Sequence, residues 1–317
     1  MRRLDFLQIC DIFSVTDLLL RNEKNVRNET CRYRSDSDRK LKTVNNLNNL
    51  NNLNKYPDLV RKKSPLVYSL TNHVTMTDCA NILLAAGASP VMSLDEREAA
   101  DLARIADAVV INFGTPDENS VRAMICAGRA ANAAGVPVLL DPVGAGATPL
   151  RGEISAMLMK EIRFTAIRGN ASEIAFLAGG RFSGRGVDAS SAEELSQVKE
   201  FVKTLAKRTG AFAAASGPVD VVSDGEKTIF VRNGHPIMTQ ITGSGCMSSA
   251  YAGAYLGAEH SLSAFAASVA AMGVCGEIAQ KSLIAGEGTG TFRIRLTDAV
   301  SLLDESQMKE FANYDCE

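Results

Sequence analysis

The sequence predicts an α/β protein with a mainly parallel central sheet flanked by helices on both faces. Three observations carry that reading. Short apolar runs such as Ala108-Val109-Val110-Ile111-Asn112 recur along the chain, as strands buried on both faces do. These runs alternate with helix-length segments, and alternation of this kind builds parallel sheets through helical crossovers. The late runs 219–222 and 228–231, joined through Asp224-Gly225, instead read as an antiparallel hairpin.

The globular part is preceded by a different kind of sequence. Residues 1–63 hold 14 Lys+Arg against 8 Asp+Glu, so this segment is net +6 and the remainder −8. Tandem Asn-Asn-Leu runs occupy 45–53. Residues 1–48 are therefore expected to be a basic, low-complexity, poorly ordered extension, or in part the product of too early a start codon. Its basic balance leaves targeting open, but interleaved acids argue against a transit peptide and there is no signal-peptide core. Residues 49–317 are expected to form one α/β domain.

Each element follows in order. From about residue 49 to Arg61, Leu50, Leu53, Tyr56, Leu59 and Val60 recur at helical spacing. Pro65–Leu70 reads as a strand, and a helix runs through Asp78–Ala86 to Gly87. A helix opens at Ser93 and reaches about Ile105, followed by the strand 108–112. Residues 116–134 read as a helix with Pro116 in its first turn. Strands are expected at Pro137–Asp141, Phe164–Arg168 and Ala211–Ala215, with a helix at 191–207 before the last.

Bulk properties narrow the function classes. The chain is 46% apolar and 22% charged, as soluble globular enzymes are. A net charge of −2 offers no basic field for nucleic acid. No apolar run reads as a membrane span. The seven cysteines are scattered, with no C-x-x-C pair, and the three histidines are far apart. Reduced thiols in a cytoplasmic protein fit this better than a disulfide framework or a zinc site.

The chemistry gathers around Gly243-Ser244-Gly245-Cys246, a glycine turn opening a helix rich in small residues. Unpaired N–H groups and the helix dipole suit such a turn to an anion such as phosphate. A thiolate is also favoured there, although a lone cysteine is more often a small buried hydrophobe. In open α/β sheets ligands bind beyond the carboxyl ends of the strands. That rule gives weight to Asn72, Asn112–Thr115, Asp141–Gly146, Arg168–Asn170 and Ser216-Gly217. Asp141 beside a glycine loop has the chemistry to hold magnesium, although it also suits a plain strand-ending turn. Asn170 and Glu173 have the spacing of a helix-capping box, which explains them without function. Alternatively Glu173 faces phosphates, with Arg168 adding a cation. Together these parts suit phosphoryl transfer.

From Ser64 to about Phe311 the sequence resembles the hydroxyethylthiazole kinase family of the ribokinase-like fold. The carrying motifs are 65–72 (PLVYSLTN), 87–92 (GASPVM), 140–149 (LDPVGAGATP), 168–175 (RGNASEIA) and 242–246 (TGSGC). The resemblance implies phosphorylation of the alcohol of 4-methyl-5-(2-hydroxyethyl)thiazole, with ATP as co-substrate and Mg2+, in thiamine salvage. It implies that Met92, Gly243 and Asn72 meet the thiazole, whose flat methylated ring suits an apolar contact better than a sugar would. Arg168, Ser216 and Asn170 would meet ATP, and Asp141 and Glu173 the metal. Gly243, Ser244 and Gly245 would form the anion hole, and Cys246 would act near the substrate hydroxyl, as base or as positioning group. A homotrimer with the substrate site at a subunit interface is implied as well. This chain departs from the family in carrying Ser216-Gly217-Pro218 where many members have Thr-Gly-Glu, and in its N-terminal extension. His73 and Tyr68 stand at variable positions expected to adjust the pocket. The alternatives are a kinase of another small alcohol, such as a hydroxymethylpyrimidine or a sugar, and a non-catalytic ligand-binding protein.

Overall fold

The computed structural model describes residues 52–181 and 192–317. The expected N-terminal extension lies outside the described residues. Among the described residues nine strands form one sheet: β1 (Leu66–Leu70), β2 (Ser89–Val91), β3 (Ala108–Asn112), β4 (Val138–Asp141), β5 (Ala166–Asn170), β6 (Phe212–Ser216), β7 (Asp220–Ser223), β8 (Thr228–Val231) and β9 (Tyr314–Cys316). Their spatial order is β2-β1-β3-β4-β5-β6-β7-β8-β9. The pairings from β2 across to β6 are parallel, and β7, β8 and β9 extend the sheet antiparallel.

Strand alternation divides the core into two layers. On β3, Val109 and Ile111 join one apolar cluster and Val110 joins the other. The first layer holds α3 (Glu96–Ile105), α4 (Glu118–Ala134), α5 (Pro149–Glu161), α6 (Ala171–Leu177) and α7 (Ala192–Thr209). The second holds α1 (Tyr56–Lys63), α2 (Met76–Ala85), α8 (Ser244–Ala258), α9 (Leu262–Lys281), α10 (Thr289–Leu302) and α11 (Glu305–Phe311).

α8 lies against the middle of the sheet, and its small residues explain how closely. A Cβ on Gly253 would collide with Val110, and one on Gly257 would fall 3.1 Å from the Pro65 Cβ. Glycine at these points lets backbone approach backbone, so the first turn of α8 lies near the strand ends.

Four expectations are corrected. The first helix begins at Tyr56, not near 49; Leu53 is buried but lies in irregular chain ahead of the turn that leads into it. Asp117 caps α4 with both halves of a capping box, so Pro116 precedes the cap. The strand expected at 164–168 runs from Ala166 to Asn170, which puts Arg168 inside β5. Among the described residues one helix, Leu262–Lys281, is long and apolar enough to cross a membrane, against the reading that no run was. In the fold nearly all of it is buried, packed on α8 and α10. β2 and β9 were not expected; each has only three residues and takes its definition from the neighbour it pairs with. The hairpin of β7 and β8 forms as expected.

Candidate active site

Gly243 sets the position of the turn. Its φ is +86°, in the left-handed region, and an added Cβ would lie 2.5 Å from Thr75 Cγ2. Conformation and space both demand glycine. It caps α8 without a side-chain hydrogen bond, so no cap side chain occupies the first-turn N–H groups. Such a turn, with its first N–H groups uncapped, has the geometry that suits an anion.

Arg168 reaches this turn from β5. Its Nη1 donates to the Gly245 carbonyl at 3.1 Å and lies 3.5 Å from Ser249 Oγ. Although buried, it lies inside the strand, and its side chain bridges sheet to helix.

Cys246 follows, half-buried. Its Sγ accepts from Asn72 Nδ2 at 3.3 Å and Asn112 Nδ2 at 3.2 Å. Burial and the neighbouring Asp141 charge raise its pKa, with the amide donors acting in the opposite direction. The helix N-terminus therefore does not make a thiolate here, because desolvation and a like charge outweigh it. Burial and the Asp141 charge thus favour the thiol form of Cys246.

Asp141 ends β4 directly beside Asn112, its register partner on β3. Asn112 Nδ2 donates to Asp141 Oδ2 at 2.7 Å. Burial, and next the Glu173 charge, push the Asp141 carboxyl up to about 7, while Arg168 pulls it down. Burial also raises Glu173.

Glu173 fulfils both readings of its spacing. Its Oε2 accepts from Asn170 N at 2.7 Å, and Asn170 Oδ1 accepts from Glu173 N at 3.0 Å, completing the capping box of α6. Its Oε1 accepts from Gly144 N at 2.8 Å in the glycine loop after Asp141. The cap holds the carboxylate where its charge acts on Asp141.

Ser216 borders this centre from β6, the strand next to β5. Ser216 is the register partner of Asn170, and its Oγ donates to the Gly169 carbonyl at 3.3 Å. The following Gly217 N donates to Asp220 Oδ1 at 2.9 Å, so the loop carrying Pro218 is closed by a carboxylate. Burial pushes that carboxyl up to about 6. Met92 lines a groove of about 670 Å³ with His73, Met76, Leu94 and Asn119. Tyr68 does not line it: its ring is fully buried and its hydroxyl donates to the Ser93 carbonyl at 3.1 Å.

Two side chains were not assigned roles from sequence. Asn112 was weighted only as a strand end, because nothing in spacing joins it to Asp141 or Cys246. Arg151 of α5 donates to the carbonyls of Phe113 at 3.1 Å, Gly114 at 2.8 Å and Val143 at 2.6 Å. It stitches the loops after β3 and β4 together, and no local pattern marks it.

Among the described residues no three His, Cys, Asp or Glu side chains converge as a metal cage. The Asp141–Glu173 pair is of another kind. One carboxylate raises the pKa of the other, and a cation between them would relieve that repulsion. Magnesium commonly uses one or two carboxylates with phosphate oxygens completing its shell. The donor set thus fits magnesium brought with a nucleotide.

A mainly parallel sheet with helices on both faces in this strand order is a ribokinase-like fold. A ribokinase-like superfamily protein from Enterococcus faecalis shares the fold at a TM-score of 0.53 and 12% identity, covering 81% of this chain and 95% of that one. Closer comparisons specify the family. The hydroxyethylthiazole kinase family model matches residues 58–306. A hydroxyethylthiazole kinase from Ruminiclostridium cellulolyticum is 44% identical over 256 residues, 80% of this chain and 93% of the relative. The structure of the Pyrococcus horikoshii hydroxyethylthiazole kinase protein matches with a TM-score of 0.75 and 35% identity, covering 83% and 97% of the two chains. The chain belongs to the hydroxyethylthiazole kinase family.

Proposed function

We propose that this protein transfers the γ-phosphoryl group of ATP to the hydroxyl of 4-methyl-5-(2-hydroxyethyl)thiazole, a step of thiamine salvage, within residues 49–317. One observation carries the reading: Arg168, which donates to the Gly245 carbonyl in the open glycine turn of α8, also acts by its charge on Asp141 at the end of β4 and on Glu173 in the first turn after β5. Phosphoryl transfer needs little covalent help from a protein; it needs positioning and charge stabilisation.

The residues divide that work. The N–H groups of Gly243, Ser244 and Gly245 receive charge on the transferred group. Arg168 supplies a cation beside them, and Asn170 and Ser216 border the nucleotide. Asp141 and Glu173 hold Mg2+, which when bound neutralises phosphate charge. Met92, with Asn72 and Gly243, forms the thiazole side, and the half-buried sulfur suits an apolar ring there. Cys246, a thiol, positions the acceptor hydroxyl; a loose transition state does not require a strong base.

A homotrimer with the thiazole groove at a subunit interface completes the proposal. Two features support it: Val74, two residues from Asn72, is 63% exposed, and the Met92 groove is open. The five described cysteines are free, in keeping with a cytoplasmic setting. The test is ADP formation with ATP and Mg2+ across a panel of alcohols. Hydroxyethylthiazole is expected to give the highest kcat/KM. Preference for a hydroxymethylpyrimidine or a sugar, or ligand binding without turnover, would overturn the assignment.

A further inference from the structure

We propose that Asn112 is a positioning residue of the transfer reaction, locking the Asp141 carboxylate and the Cys246 thiol to each other through one amide nitrogen. The inference rests on the function proposed above and adds a residue to it. The orientation of the amide is fixed by chemistry. Its oxygen accepts from Gly114 N at 2.9 Å and from Asn72 Nδ2 at 3.0 Å. A backbone N–H only donates, so the edge facing Gly114 is the carbonyl oxygen. The NH2 group then has two hydrogens and two acceptors, Asp141 Oδ2 at 2.7 Å and Cys246 Sγ at 3.2 Å.

Asn72 is locked in the same way. Its Oδ1 accepts from Val74 N at 3.1 Å and Thr75 Oγ1 at 3.2 Å, and its Nδ2 donates to Asn112 Oδ1 and to Cys246 Sγ at 3.3 Å. Both asparagines are buried, and each amide has all its donors and acceptors engaged. The sulfur thus receives two amide hydrogens, from Asn72 and Asn112, which fix its acceptor directions, and the Thr75 side chain is a further hydrogen-bond partner. With its hydrogen bonds all internal, Asn112 has none for a ligand, and Asn72 borders the thiazole side by packing rather than by a hydrogen bond. The use of Asn112 is to set distance and angle between the metal-side carboxylate and the acceptor-side thiol. The β3–β4 register, which pairs Asn112 with Asp141, brings both side chains off the sheet at one level.

Asn112→Asp tests this with little change of shape. It keeps the acceptor edge toward Gly114 and Asn72 but turns a carboxylate oxygen toward Asp141 and Cys246. Iodoacetamide labelling of Cys246 at pH 8, read by mass spectrometry on its peptide, is expected to slow about tenfold or more, because a donor is lost and a negative charge gained. For transfer to the thiazole alcohol, kcat is expected to fall about 100-fold with the alcohol KM within about threefold. In a double-mutant cycle, Asn112→Ala and Cys246→Ala together are expected to cost less than the product of their separate costs. If Asn112→Asp does not fold, Asn112→Ser, which retains one donor, replaces it and is expected to show smaller losses of the same kind. Unchanged labelling, or fully multiplicative costs in the cycle, overturns the proposal. The labelling needs no substrate, so it stands apart from failure of the thiazole assignment.

Discussion

Arg168 Nη1 donates to the Gly245 carbonyl at 3.1 Å, so a cation rooted in β5 holds the turn that opens α8. The contact ties sheet to helix and places positive charge beside the anion-binding N–H groups. Arg168→Met removes both. It is expected to raise the KM for ATP about tenfold and lower kcat about 100-fold, while Arg168→Lys, which keeps charge without the planar fork, recovers part of the loss. Steady-state kinetics with ATP varied check this.

Glu173 has two tasks that mutation can separate. Glu173→Gln keeps one oxygen acceptor, so one of the two backbone N–H groups it serves loses its partner. Urea melts are expected to show a loss of about 1 kcal/mol. The lost charge beside Asp141 is expected to lower kcat about 100-fold, well beyond the stability effect. Equal activity in the two proteins at saturating MgATP would confine Glu173 to capping.

The buried carboxylates predict a pH dependence of stability. Asp141 is pushed up to about 7 in the fold, from 3.8, and Glu173 shifts upward too. Between those values the folded protein holds a proton that the unfolded chain has released. The stabilisation is therefore complete below about pH 4 and is lost as pH rises through about 7. The Tm of the ligand-free protein is expected to be lower at pH 8 than at pH 5.5 from this source, and Asp141→Asn to flatten that part of the profile. MgATP is expected to recover stability most at pH 8.

Gly243→Ala meets two obstacles, a positive φ and the Thr75 methyl group. The expected cost is about 1–3 kcal/mol of stability, with loss of activity because the turn must shift. Thr75→Ser removes the obstructing methyl. The double variant is expected to regain stability without reaching wild type, since the backbone strain remains. Thermal melts of the three variants check the order.

The sequence carried the local features and lost those that exist only through pairing. Glycines around Ser244, an acid after an apolar run and the Asn170–Glu173 spacing are local patterns; in the fold the first opens a helix, the second ends β4 and the third caps the helix after β5. Asn112 acquires its meaning from β3–β4 register, and Arg151 from the approach of two loops. Arg168 was misplaced by two residues of strand boundary because Gly169 and Asn170 look like a turn, yet they pair with Ala215 and Ser216. The thiol of Cys246 shows the same limit in electrostatics. A helix N-terminus is visible in sequence, but the burial and the Asp141 charge that outweigh it are not. The Leu262–Lys281 helix reads alike in a membrane and in a core, and only the layers around it decide.

The most direct test of the account is to identify the product of the wild-type protein incubated with MgATP and hydroxyethylthiazole. The account predicts one phosphoryl group on the hydroxyethyl oxygen, seen by 31P NMR and mass spectrometry, formed in equal amount with ADP. ADP released without a phosphorylated thiazole alcohol would contradict it.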